Sequence, residues 1–120
     1  MVLHLPEADQ IIIDKKSSIV KELKMYTNNV LFDNDELRPY ETDGLNVYKQ
    51  KPLAVVLPEN TQEVSNILNY CHKNNIKVVP RGAGTGLSGG SLPLKDCVLM
   101  SMGKFNKIIE KDFKNRCVVT

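Results

Sequence analysis

Val78-Val79-Pro80-Arg81-Gly82-Ala83-Gly84-Thr85-Gly86-Leu87-Ser88-Gly89-Gly90-Ser91 is the stretch from which the rest of the chain is read. Five of the seven glycines fall between Gly82 and Gly90. The run Ile76, Val78, Val79 ahead of them is apolar and β-branched and predicts a buried strand. Glycine admits positive φ and lets another backbone or a ligand come close. Several such residues in succession can aim their N–H groups into one hollow suited to phosphate oxygens. Thr85 and Ser88 could add hydroxyl donors. Arg81 either adds charge or is simply solvated. The stretch reads as a loop shaped for a phosphate or pyrophosphate, against the plainer alternative of a glycine-rich connection without a ligand.

Two nucleotide-binding templates can be set against it. Gly84-Thr85-Gly86-Leu87-Ser88-Gly89 matches G-x-G-x-x-G in form. A dinucleotide fold of that kind needs the last glycine to open a helix that receives the anion at its N-terminus. Here Gly90-Ser91-Leu92-Pro93 follows, then a strand-like run from Cys97 to Met100, with no room for a helix between. From Gly84 to Ser91 the sequence also approaches G-x-x-x-x-G-K-[ST], but Gly90 stands where the phosphate-reaching lysine belongs. What remains is a glycine loop joining strand to strand.

Working outward, Ala54-Val55-Val56-Leu57 is an apolar strand between Pro52 and Pro58. Asn60 and Glu63 have capping-box spacing, and the helix they open runs to about Lys73. Val64, Ile67, Leu68 and Cys71 form its apolar stripe, with His72 at the rim. Strand, helix and strand from Leu53 to Pro80 predict a βαβ unit with parallel strands, the glycine loop at the ligand-binding C-terminal end of the second. Downstream, Cys97–Met102 and Cys117–Thr120 read as further strands, with an extended piece at Ile108-Ile109. Upstream, Ile11–Ile13 fits strand or helix. Ser17 or Ser18 is expected to cap a helix reaching about Tyr26, and Val30–Phe32 is a short apolar run. Asp33–Glu36 lacks the ligands and glycine of a calcium loop and reads as a solvated turn. Arg38–Asn46 reads as a packed loop in which Tyr40 and Asp43 are secondary candidates.

The length of 120 residues fits one modest domain, and the net charge of +2 makes no electrostatic case for nucleic acid or an anionic membrane. No apolar run approaches the roughly 18 residues of a membrane span. Met1–Glu7 has neither basic residues nor a signal-like apolar core, so a cytoplasmic location is expected, with peripheral attachment through other subunits left open. Cys71, Cys97 and Cys117 are odd in number and widely spaced, as for reduced, mostly packed thiols. No metal-ligand spacing accompanies them.

Pro52–Pro58, Thr61–Val64 and Pro80–Gly90 together resemble the start of the FAD-binding domain of the vanillyl-alcohol-oxidase/PCMH-type flavoproteins. Arg38-Pro39-Tyr40-Glu41-Thr42-Asp43-Gly44-Leu45 narrows the resemblance. It points to the branch holding the D subunit of bacterial glycolate oxidase and FAD-linked D-2-hydroxy acid dehydrogenases, D-lactate dehydrogenases included. Thr42 departs from a cysteine common in that branch. The resemblance covers Leu37–Thr120 and implies an α+β fold. It would be the first half of a PCMH-type FAD-binding domain: a βαβ unit with a small mixed sheet flanked by helices, behind an N-terminal helical lead-in over residues 1–36. It implies FAD as cofactor, with the pyrophosphate held by Arg81, Gly82, Ala83, Gly84, Thr85, Gly86, Ser88 and Gly89. It assigns no catalytic or metal-binding residue here, since the flavin-ring and substrate contacts of the family lie in later sequence. The chain therefore reads as an N-terminal fragment or a truncated or split product, not catalytic alone. The implied reaction of a complete protein is oxidation of a 2-hydroxy acid to the 2-oxo acid. The alternatives are a module for another phosphate ligand such as FMN or a nucleotide, a non-functional remnant, and a half-domain completed by a second chain.

Overall fold

The computed structural model describes residues 4–120; Met1–Leu3 of the expected lead-in lie outside them. The chain runs through α1 (Gln10–Asp14), α2 (Lys16–Leu23), β1 (Val30–Leu31), α3 (Asn34–Leu37) and a 3₁₀ turn at Arg38–Tyr40. It continues through β2 (Ala54–Val56), α4 (Thr61–Lys73), β3 (Lys77–Arg81), β4 (Cys97–Ser101), β5 (Glu110–Asp112) and β6 (Cys117–Val119). The first four strands form a mixed sheet in the order β1-β2-β4-β3. β4 is parallel to both of its neighbours, and β1 is antiparallel to β2. β5 and β6 form a separate antiparallel ribbon.

The expected βαβ unit is present in chain order, but β2 and β3 are not neighbours: β4 lies between them. The physical reason is in the side chains. Every residue of β4 is buried, as a central strand covered on both faces requires. Pro80 has no N–H to donate to a ladder, which suits β3 to the edge. Alternation divides the core in two. Ala54, Val56, Val98 and Met100 face one way, where Ile19, Val20 and Leu23 of α2 and Ile67 and Cys71 of α4 cover them. Val55 and Leu99 face the other way and meet Leu37, with Leu31, Tyr40, Leu57 and Val79 around them.

α4 starts and stops as its sequence dictates. Asn60 Oδ1 accepts from the Glu63 N–H at 2.9 Å, and Glu63 reaches back to the Glu59 N–H at 3.0 Å. At the far end Asn75 takes φ +55° and the Ile76 N–H returns to the Cys71 carbonyl. Leu68 of the predicted stripe is largely exposed, while Tyr70 turns inward to meet Tyr26. Residues 11–13 resolve to helix, capped by Asp9 Oδ1 at the Ile11 N–H. The expected serine cap is absent: α2 follows α1 after Lys15 alone, and Ser18 Oγ instead donates to the Lys15 carbonyl. The expected turn at Asp33–Glu36 is the start of α3, with Glu36 Oε2 accepting from the Phe32 and Asp33 N–H groups. Cys117–Val119 forms a strand as expected, but an exposed one outside the main sheet.

Candidate functional site

β2, β4 and β3 are parallel, so their C-terminal ends share one edge of the sheet, and the glycine loop leaves β3 there. No helix follows it; the chain passes through Gly90–Pro93 and re-enters the sheet as β4. Gly84 and Gly89 have φ of +72° and +76°, where a side chain would strain the backbone. Gly82 and Gly90 differ. Neither has a positive φ, and beyond the chain neighbours no heavy atom lies within 4 Å of where a Cβ would sit on either. Nothing in the protein's own backbone geometry or packing demands glycine at these two positions. Glycine there keeps a surface clear.

The backbone donors of the loop tell the same story. Among the described residues, no N–H from Gly82 to Ser91 donates to a protein group. A backbone donor left without an internal partner must find water or a ligand. The loop is exposed over most of its length, including Ala83, Thr85 and Ser88. It therefore offers a continuous set of N–H groups and two hydroxyls at the edge of a rigid sheet, the donor set that an anionic diphosphate takes.

Arg81 does not lie in solvent. It is 6 % exposed, and its Nε and Nη2 donate to the Ser91 carbonyl at 3.3 and 2.6 Å. The side chain thus ties the two feet of the loop together. Its Cδ lies 3.3 Å from the position of a Cβ on Gly84, so it also fills the inside of the bend. Burial pulls the guanidinium below its ordinary pKa, while the negative charge of Asp43 acts in the opposite sense. Asp43 is itself 4 % exposed. Its Oδ1 accepts from the Leu45 N–H at 3.0 Å, closing a tight turn, and its Oδ2 has no hydrogen-bond partner among the described residues.

That turn presents Gly44 to the loop. A Cβ on Gly44 would lie 2.7 Å from the Thr85 carbonyl oxygen and 2.9 Å from the Gly86 oxygen. The middle of the glycine loop rests on it. Sequence reasoning placed Tyr40 and Asp43 near the site but gave Gly44 no role, and it did not foresee Ser91 as the acceptor for Arg81. The Asp43-Gly44 pair was the available signal, as a turn dipeptide with a small residue at its tip.

A cleft of about 630 Å³ opens along the same edge, between the start of α4 and the segment after β4. Glu59, Asn60, Lys104, Phe105, Lys107 and Ile109 are among its walls, and no residue of the glycine loop is. The loop is open surface beside it. No helix among the described residues is long and apolar enough to cross a membrane.

A family model for an FAD binding domain matches residues 52–120, more than half of the chain and the whole of the glycine loop. The chain belongs to this FAD-binding-domain family. Within it, the chain is 42% identical over 108 residues to the glycolate oxidase subunit GlcD of Escherichia coli K12, covering 88% of this chain and 20% of that protein. It is 43% identical over 98 residues to the mitochondrial D-2-hydroxyglutarate dehydrogenase of Arabidopsis thaliana, covering 82% of this chain and 17% of that one. The chain therefore spans about a fifth of the length of the curated relatives it matches. The fold is that of p-cresol methylhydroxylase, with a TM-score of 0.70 at 24% identity over 88% of this chain and 21% of that one. It is equally that of the 4-ethylphenol oxidase of Gulosibacter chungangensis, with a TM-score of 0.71 at 24% identity over 91% of this chain and 22% of that one. FAD is the cofactor of the family, and the exposed donors and cleared glycine surface of the loop fit its diphosphate.

Proposed function

We propose that the chain supplies the pyrophosphate-binding part of an FAD-linked oxidoreductase that oxidises a 2-hydroxy acid, such as glycolate or D-lactate, to the 2-oxo acid. The observation that carries the proposal is the row of unpartnered N–H groups from Gly82 to Ser91, on a loop whose Gly82 and Gly90 answer to no internal need. The backbone from Arg81 to Gly86, with Ser88 and Gly89, holds the diphosphate. Buried Arg81 acts from within, by holding the Ser91 carbonyl and by its charge. Residues 37–120 make up this first half of the flavin domain, and residues 1–36 are its lead-in.

When bound, FAD supplies the hydride-accepting chemistry; the residues described here bind and orient it, and none is assigned to the oxidation itself. The choice of a 2-hydroxy acid rests on the relatives, whose names give glycolate, D-2-hydroxyglutarate and D-lactate. Exposed Ile109, Phe113 and Val118 favour further polypeptide completing the site around β5 and β6, and the chain alone is read as non-catalytic.

An FAD titration of the purified chain tests this, with flavin fluorescence and thermal unfolding followed together. Saturable binding that raises Tm is expected. The informative control is Gly82→Val, at a position where a Cβ has no protein heavy atom within 4 Å beyond its chain neighbours, so that its effect falls chiefly on the ligand. Equal binding by that variant, or release of FMN or another nucleotide in place of FAD on denaturation, counts against the assignment.

A further inference from the structure

The contact between Gly44 and the glycine loop is unlike the other glycine positions in the chain. Gly44 has no positive φ, so its backbone conformation would accept alanine. What excludes alanine is space. A methyl group there would lie 2.7 Å from Thr85 O, 2.9 Å from Thr85 C and 2.9 Å from Gly86 O, all backbone atoms of the loop. The obstruction is one peptide unit and its successor, in the middle of the segment whose N–H groups are free. A side-chain neighbour could rotate aside; a peptide unit held at both feet by the Arg81–Ser91 tie can only be displaced as a whole.

The turn carrying Gly44 is itself fixed. Asp43 Oδ1 holds the Leu45 N–H at 3.0 Å, and the Asn46 N–H returns to the Asp43 carbonyl at 3.3 Å. The segment is also tied to the far side of the loop. The Gln50 N–H donates to the Glu41 carbonyl at 2.8 Å, and Gln50 Oε1 accepts from the Lys95 N–H at 3.2 Å, close before β4. Asp43 is buried at a cost, since its Oδ2 lacks a hydrogen-bond partner among the described residues. A carboxylate kept there despite that cost does something an apolar residue could not, and what it visibly does is hold the turn and offset the charge of Arg81.

We propose that Gly44, presented by the Asp43 turn, is a positioning residue for the diphosphate site: it is the seat that sets where the Thr85–Gly86 and Gly86–Leu87 peptides lie, and hence where their N–H groups meet phosphate oxygens. The proposal rests on the reading of the glycine loop as the FAD site. It adds that FAD affinity is governed in part by a segment some forty positions before the glycine loop.

The experiment compares the 120-residue chain with Gly44→Ala, Asp43→Ala and Asp43→Asn. FAD affinity is read by flavin fluorescence, folding by cooperative unfolding, and loop position by the amide resonances of Gly86 and Leu87. Misplacing a charge-assisted donor lowers affinity by about tenfold or more, so Gly44→Ala is expected to fold, to shift both resonances and to lose at least that factor. Asp43→Ala should follow it, and Asp43→Asn, which keeps the acceptor for the Leu45 N–H, should restore binding. Unchanged affinity and unmoved resonances in a folded Gly44→Ala overturn the proposal. If Gly44→Ala does not fold, the Asp43 pair decides: loss in alanine with recovery in asparagine supports the seat, and equal binding by both overturns it. If the unaltered chain itself takes up no FAD, the site reading fails, and the Gly86 and Leu87 resonances in Gly44→Ala still decide whether Gly44 positions the loop.

Discussion

The two ends of the central sheet are built on opposite rules. At the end where β2, β4 and β3 begin, most polar groups are closed onto one another, the buried Asp96 Oδ1 excepted. Asp96 Oδ2 takes the Asp9 N–H at 2.8 Å and Lys77 Nζ at 2.7 Å, the Leu53 N–H reaches the Cys97 carbonyl, and the Leu94 N–H meets Cys97 Sγ. At the end where the strands finish, the glycine loop carries a run of backbone donors that have no internal acceptor among the described residues. Buried donors must be paired, and exposed ones need only be available. One end therefore holds the lead-in helices to the sheet, and the other keeps its hydrogen-bonding capacity for something outside the protein. The tie from Arg81 to the Ser91 carbonyl braces the loop without using its N–H groups.

The comparison can be broken most forcefully at the centre. Leu99 is fully buried between the layers, and Leu99→Ala should cost about 3 kcal/mol of stability by leaving a cavity. Denaturant unfolding would measure it; a loss near zero would show the smaller layer around Val55 and Leu37 to be loosely packed. Next is the closed end. Asp96→Ala should cost about 2 kcal/mol, as removal of hydrogen bonds to a charged group does, with FAD affinity unchanged. Burial alone would raise the Asp96 pKa, but the Asp9 N–H and Lys77 outweigh it, so its folded value lies below the ordinary one. Its contribution is present above the unfolded carboxylate value of about 3.9 and is lost as pH falls through the folded value. Acid titrations of stability should therefore be shallower in Asp96→Ala than in the unaltered chain.

At the open end the signs reverse. Gly82→Val should leave stability within about 0.5 kcal/mol, as ordinary surface changes do, while FAD binding is lost. Gly84→Val is the less clean variant, because positive φ and the neighbouring Arg81 side chain would destabilise the fold as well. The mildest effect concerns the thiols. Burial raises Cys71 and Cys97 to about 11, so neither is a thiolate at neutral pH, while Cys117 is exposed. Mass spectrometry after brief alkylation of the native chain should find Cys117 modified and the other two intact until the protein unfolds.

The elements with strong local signals were legible in advance. Ala54–Val56 and Cys97–Ser101 stand out as apolar runs, and the helix from Thr61 to Lys73 carries its own start and stop signals. The glycine loop could be recognised as strand-to-strand for the same reason. What was not legible depended on contacts distant in sequence. The insertion of β4 between β2 and β3 is decided by which strand can be covered on both faces, and no local window shows that. The inward turn of Arg81 depends on a carbonyl ten positions on, and the role of Gly44 on a peptide some forty positions away. A charged residue beside glycines reads as exposed until its acceptor is known.

The boundary between Arg81 and Gly82 has one more consequence. Arg81 is the last residue of a ladder pairing it with Ser101, and its carbonyl accepts from the Met102 N–H. One residue later the internal acceptors stop. Amide hydrogen exchange should therefore fall from the protection of a packed strand to almost none across a single peptide, and remain low as far as Ser91. The steepest step in the protection profile then coincides with the edge of the proposed site. A bound diphosphate would move that step along the chain, so the same measurement would show which loop amides the ligand engages.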